Sequence, residues 1–278
     1  MNFFTVLFNP DFPFVRNALI AGVLSAVLFG TLGSLITVRR IASLAGAVSH
    51  AVLGGIGLAL FVSASTDVAF PPMLGAFIFA ALAAVAIGLV TIKAKQREDT
   101  VINAIWAIGM SIGVLFMAKT PGYTDPSTYL FGNILLISNR DLILLGAMDI
   151  AVVALTARFY PQIEASSFDA EFARTRGVPT DAVSLCVLIA TAVAVVLLQT
   201  FVGIVMLIAM LTLPAGTASG ARSLASMMAR SSAFAMLFFL TGLFFGWTFD
   251  FPIGATTVIV AGAVFLSVAF CSKIFSRR

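Results

Sequence analysis

From Ile41 to Val62 the chain carries no formal charge, and within that run stands its only histidine, His50. About 20 apolar residues is the length an α-helix needs to cross the hydrocarbon of a bilayer. Comparable stretches recur, and they predict helices at 17–38, 41–62, 72–92, 101–118, 142–157, 182–199, 201–214, 232–249 and 252–270. The sixth and seventh are nearly continuous, interrupted only at "QTFVG". In lipid, backbone polar groups have to be satisfied internally, which leaves helices or closed barrels. Of the 278 residues, 60% are hydrophobic and 10% charged, and the mean hydropathy is +1.10. A soluble domain needs far more polar surface than that. The expected fold is all-α, a polytopic transmembrane helical bundle of eight or nine spans.

Basic residues set the orientation. With the N-terminus outside, thirteen fall on the inner side: Arg39, Arg40, Lys93, Lys95, Arg97, Arg158, Arg174, Arg176, Arg222, Arg230, Lys273, Arg277 and Arg278. Only Arg16, Lys119 and Arg140 fall outside. This bias predicts nine crossings and a cytoplasmic C-terminus, and it accounts for the net charge of +4. A basic stripe with interleaved aromatics, as nucleic acid requires, is missing. The N-terminal "MNFFTVLFNPDFPFVRN" has neither a basic start nor a cleavage site, so the first apolar segment is expected to be retained. Cys186 and Cys271 lie far apart and adjoin no ligand pattern, so they read as small buried packing residues.

Gly46, His50, Gly54 and Gly57 share one helical face, and Ala47, Ala51 and Gly55 form the stripe beside it. Small residues at this spacing let a second helix approach closely. His50 is therefore turned toward protein or a cavity, roughly 13 Å into the span and near mid-membrane. It either hydrogen-bonds two helices together or serves as a ligand or proton carrier on a transport path, the usual role of intramembrane ionisable groups. Asp149, in "LLGAMDIAVVAL", lies at similar depth and has to be paired, protonated or wetted. Whether the two helices face each other is left open.

Two stretches outside the spans are long. The outer one, residues 119–141, starts with turn residues and passes into "YLFGNILLI", which reads as a short interfacial helix. The inner one, residues 158–181, holds Ser166 and Asp169 at capping-box spacing, then "FDAEFARTR" and a stop at Gly177. Phe168 and Phe172 give that helix an apolar edge, either for a partner or for the protein's own underside. Catalytic motifs are poor: there is no GxxxxGK[ST] and no HExxH, and Ser219 in "GTASG" has no identified activating geometry.

Four blocks resemble the membrane subunits of ABC-type zinc/manganese importers. They are "RRIASLAGAVSHAVLGGIG" (39–57), "YLFGNILLIS" (129–138), "SFDAEFARTRGVP" (167–179) and "LQTFVGIVMLIAMLTLPAGTASGARSL" (198–224). The resemblance implies a single permease domain over 1–278 in a bacterial plasma membrane, with a cytoplasmic coupling helix at about 166–178. Phe168, Asp169, Glu171, Phe172, Ala173 and Gly177 are then the ATPase-docking residues. Implied partners are two cytoplasmic ATP-binding subunits, a second permease copy or sister permease, and an extracytoplasmic metal-binding protein. The chain itself is then no enzyme and holds no permanent cofactor; zinc or manganese passes through it as cargo.

His50 matches the family's membrane metal ligand, but Gly46 stands where members commonly carry Asp. Three arrangements are open: His50 of a partner copy completes the site, Asp149 substitutes for the missing ligand, or the permease handles a different ion or has a looser site; the favoured arrangement is a dimer-interface site that includes Asp149. Alternative functions are a permease for another small solute, an intramembrane enzyme, or a structural membrane subunit.

Overall fold

The computed structural model describes residues 12–66, 68–93, 98–121, 129, 130, 132 and 134–275. Lys95, Arg97, Arg277 and Arg278 from the charge count, the Asp125-Pro126 turn and most of the N-terminal segment lie outside them. Among the described residues the chain is all-helical. In chain order the helices are α1 (Pro13–Val38), α2 (Ala42–Ser65), α3 (Pro72–Lys93), α4 (Glu98–Lys119), α5 (Asn139–Arg158), α6 (Tyr160–Phe168), α7 (Ala170–Thr175), α8 (Thr180–Val202), α9 (Ile204–Thr217), α10 (Leu224–Phe249) and α11 (Ile253–Phe275). Among the described residues, six helices are long and apolar enough to cross a membrane, or seven if α5 and α6, bent by 75°, count as one span.

Each predicted apolar stretch is a helix, and local chemistry sets the ends. Proline opens α1, where its missing N–H would have had no helical partner. The α1–α2 elbow is a Schellman-type turn: Arg40 is left-handed at φ 58°, and the Arg40 and Ile41 amides donate to the Thr37 and Ile36 carbonyls. The interruption at "QTFVG" narrows to Gly203, at φ 81° and ψ 161°, a conformation essentially reserved for glycine. Non-helical backbone at membrane depth is tolerated where protein covers it. Gly132 supplies the cover, so close that a Cβ on it would meet the Val202 carbonyl carbon at 2.4 Å.

Two sequence expectations need correction, at Ser166 and at the cysteines. Within "YLFGNILLI", expected as a short interfacial helix, Tyr129 and Leu130 are helical and Ile134–Leu136 form a 3-10 turn, with Ile134 and Ile137 buried in the main core. Ser166 does not cap the helix that follows it. It lies inside α6, and Asp169 is the N-cap, accepting from the Phe172 amide at 2.9 Å. Both cysteines are exposed on the outside of the bundle and are not core packing.

Two helical groups share the core. In one, α2 packs along α4 and α3; in the other, α1 packs against α10, α9 and α5, and α11 against α10 and α9. α8 joins them by touching α3, α2, α1 and α5. Large buried side chains such as Phe29, Phe238 and Phe239 fill the second group. The first is held by small residues.

Candidate functional site

The seam of α2 on α4 is nearly free of side chains. A Cβ on Gly57 would lie 2.5 Å from the Gly113 carbonyl oxygen, and one on Gly109 would lie 2.6 Å from the Ala51 Cα. Gly55 meets Gly75 of α3 in the same manner, at 2.1 Å from its carbonyl oxygen. The small-residue face predicted for α2 thus seats two helices at backbone contact, as in other membrane interfaces built on small residues.

His50 sits on this seam, 7% exposed. Its ring lies against the Trp106 indole of α4, with centroids 4.9 Å apart and planes 37° apart. Its Nδ1 is buried and accepts or donates no hydrogen bond. The imidazole is therefore oriented by ring stacking and by the fixed register of two helices, with a nitrogen lone pair or proton left unsatisfied. One turn before His50, a Cβ on Gly46 would find only Ile208 of α9, at 3.9 Å. That position has room for a side chain, unlike the glycines deeper in the seam.

Asp149 is also buried, 6% exposed, with both carboxylate oxygens unpartnered. Its helix packs on α1 and α8, and Gly146, one turn earlier, faces Leu24 of α1. α2 and α5 form no extensive seam within the chain. No cluster of three or more His, Cys, Asp or Glu side chains forms among the described residues. The two buried polar groups belong to different seams.

The polar segment between α5 and α8 forms a second site. Phe168 ends α6 and Phe172 lies in α7; both are more than half exposed, at 67% and 56%. Asp169, Glu171 and Gly177 are exposed around them, whereas Ala173 is buried against the bundle. The Arg176 guanidinium stacks on the Phe172 ring at 5.2 Å. Gly177, at φ 81°, ends the element.

The element is tied down at three places. Tyr160 donates to Glu164 at 2.7 Å and accepts from the Ala225 amide of α10 at 3.0 Å. Arg174 pairs with Asp181 of α8 at 2.7 Å. Arg39, at the end of α1, donates from Nε to Ser167 Oγ (3.0 Å), from one terminal nitrogen to Ser184 Oγ (2.9 Å) and from the other to Ser166 Oγ (2.7 Å).

Sequence reasoning missed Trp106, although Gly109 and Gly113 next to it carry the spacing that matches the α2 glycines. It also counted Arg39 only as one of the inner charges. The capping box at Ser138 and Asp141, which starts α5, was readable as S-x-x-D.

The sequence pattern of the ABC 3 transport family matches residues 11–272. An uncharacterised membrane protein of Synechocystis sp. is 38% identical over 94% of this chain and 92% of its own length. A manganese transport system membrane protein of Listeria monocytogenes is 32% identical over 96% of this chain and 95% of its own. Among solved structures, PsaBC from Streptococcus pneumoniae, in complex with a Fab, superposes with a TM-score of 0.81 at 29% identity, covering 92% of this chain and 90% of that one.

Proposed function

The chain belongs to the ABC 3 transport family, and from that premise we propose that it is the permease subunit of a divalent-metal importer, with manganese or zinc as cargo. The observation that carries the metal reading is its likeness, over nearly the full length of both chains, to a manganese transport system membrane protein. Separate ATP-binding subunits power the import, an extracytoplasmic binding protein delivers the ion, and a second permease copy or sister permease completes the pathway. The chain crosses the bilayer nine times with its N-terminus outside, α3 and α9 adding to the longer spans.

His50 is the ligand this chain presents from α2. A neutral imidazole is a borderline donor that suits zinc, and a carboxylate beside it supplies the harder oxygen that manganese prefers; the unpartnered Nδ1 supports the assignment of His50. With Gly46 one turn away, this helix offers a single side-chain ligand. We place Asp149 in the site by way of the second permease, since α2 and α5 of one chain are not packed together. A sparse ligand set suits transport, because an ion held weakly is released on the far side. At the inner face, the exposed pair Phe168 and Phe172, with Asp169, Glu171 and Gly177 around it and Ala173 fixing its inner side, docks the ATPase.

Reconstitution tests this reading. The complex with its ATPase and binding protein, in proteoliposomes, is expected to take up radioactive manganese in an ATP-dependent manner, with zinc competing. ATP-dependent uptake of neither metal overturns it.

A further inference from the structure

The α6–α7 element presents an apolar edge outward, but its inner attachment is polar and runs through one side chain. Arg39 is the C-cap of α1, with its amide bonded to the Leu35 carbonyl at 3.0 Å. Three residues later the chain has turned through the left-handed Arg40 and entered α2 at Ala42. The base of the Arg39 side chain is thus part of the elbow that joins α1 to the helix carrying His50. Its guanidinium reaches residues more than 120 positions away in sequence, on α6 and α8.

The receiving end is equally specific. Ser166 and Ser167 occupy the last turn of α6, and both hydroxyls donate to the Ile163 carbonyl, at 3.1 and 2.6 Å. Having spent their protons there, they can only accept from Arg39. A cation at the C-terminal end of a helix also meets the negative end of its dipole. Ser184, in the first turns of α8, takes the third bond. No carboxylate pairs with this guanidinium among the described residues. The planar fork matches three neutral acceptors that a lysine's single ammonium could not span in the same directions.

We infer that Arg39 is a positioning residue for transport, tying the α6–α7 element and the start of α8 to the α1–α2 elbow so that movement of the docked element is delivered to the His50 helix. The inference rests on α6–α7 being the docking element. Lateral movement of α6 pulls on two hydrogen bonds to Arg39, and the elbow follows because it holds the base of the same side chain. His50 lies eight residues into α2 from its first residue, Ala42, or about 12 Å along the helix axis. A rigid α2–α4 seam carries the displacement that far.

The test uses the assembled complex in proteoliposomes and three variants: Arg39→Met, Arg39→Lys, and Ser166→Ala with Ser167→Ala. The readouts are ATPase subunit co-purified with the permease and manganese ions imported per ATP hydrolysed. Arg39→Met is expected to keep its ATPase and lose about tenfold in ions per ATP, the size of an ordinary coupling between sites. Arg39→Lys recovers part of that loss, because charge returns without the fork. The double serine variant, which leaves the arginine and its packing in place, is expected to lose several-fold. Ions per ATP at the wild-type level in the double serine variant overturn the inference, and they do so even where Arg39→Met fails to assemble. The docking premise is tested separately: Glu171→Ala with Phe172→Ala should release the ATPase from the permease. Retention of ATPase and coupling by that variant removes the premise, whatever the Arg39 variants show.

Discussion

The α2–α4 seam and the clamp around α6–α7 hold their parts of the molecule by opposite means. In the seam, backbone touches backbone at Gly57, Gly109 and Gly113, and His50 meets Trp106 ring against ring. In the clamp, Arg39, Tyr160 and Arg174 make directional bonds to α6, α10 and α8. Close packing permits few intermediate positions, since any separation forfeits dispersion contacts and any approach is a clash. The hydrogen bonds of the clamp tolerate a spread of angles before they weaken, so its parts can turn while they stay tied. The difference assigns rigidity to the helix that carries His50 and adjustability to the element that meets a partner.

The largest expected effect breaks the seam. Gly57→Leu drives a side chain into the Gly113 carbonyl, and the variant is expected to yield little or no folded protein by size-exclusion in detergent. Gly46→Leu, on the same helix, faces only Ile208 at 3.9 Å and is expected to fold. Equal yields from the two variants break the comparison.

A smaller effect sharpens the clamp. Asp169→Ala removes the cap of α7 and is expected to destabilise that helix by about 1 kcal/mol. Hydrogen exchange at the Phe172 amide, which Asp169 caps, should quicken while amides of α2 keep their protection. The smallest effect is at Arg174–Asp181, whose side chains are 62% and 90% exposed. Asp181→Asn is expected to leave thermal unfolding in detergent almost unmoved, since exposed ion pairs contribute at most about 1 kcal/mol and salt screens them.

Much of the seam was legible, because its determinants are local: small residues spaced along α2 announce close approach, and an uncharged run of span length announces the helix. The break at Gly203 was legible to within a few residues for the same reason. The clamp was not. Ser166 and Asp169 satisfy a capping pattern at the right spacing, yet Ser166 is drawn to Arg39, 127 positions away. Nothing in the local sequence shows that the cap moves on to Asp169. Cys186 and Cys271 misled in a related way. A small apolar thiol suits the core of a soluble protein, but on a membrane bundle the outside is apolar too, and both thiols sit there. For the site, the sequence supplied His50 and Asp149, and only the folded chain shows that they occupy separate seams with Trp106 beside the first.

Manganese uptake by His50→Ala in the reconstituted complex bears most directly on the role assigned to this buried imidazole. The variant removes a ring that no hydrogen bond at Nδ1 holds, so the glycine seam and ATPase binding should survive. ATP-dependent uptake is expected to fall to the level of liposomes without ATP while the ATPase stays attached. Uptake at the wild-type rate and metal affinity would contradict a path that runs past His50.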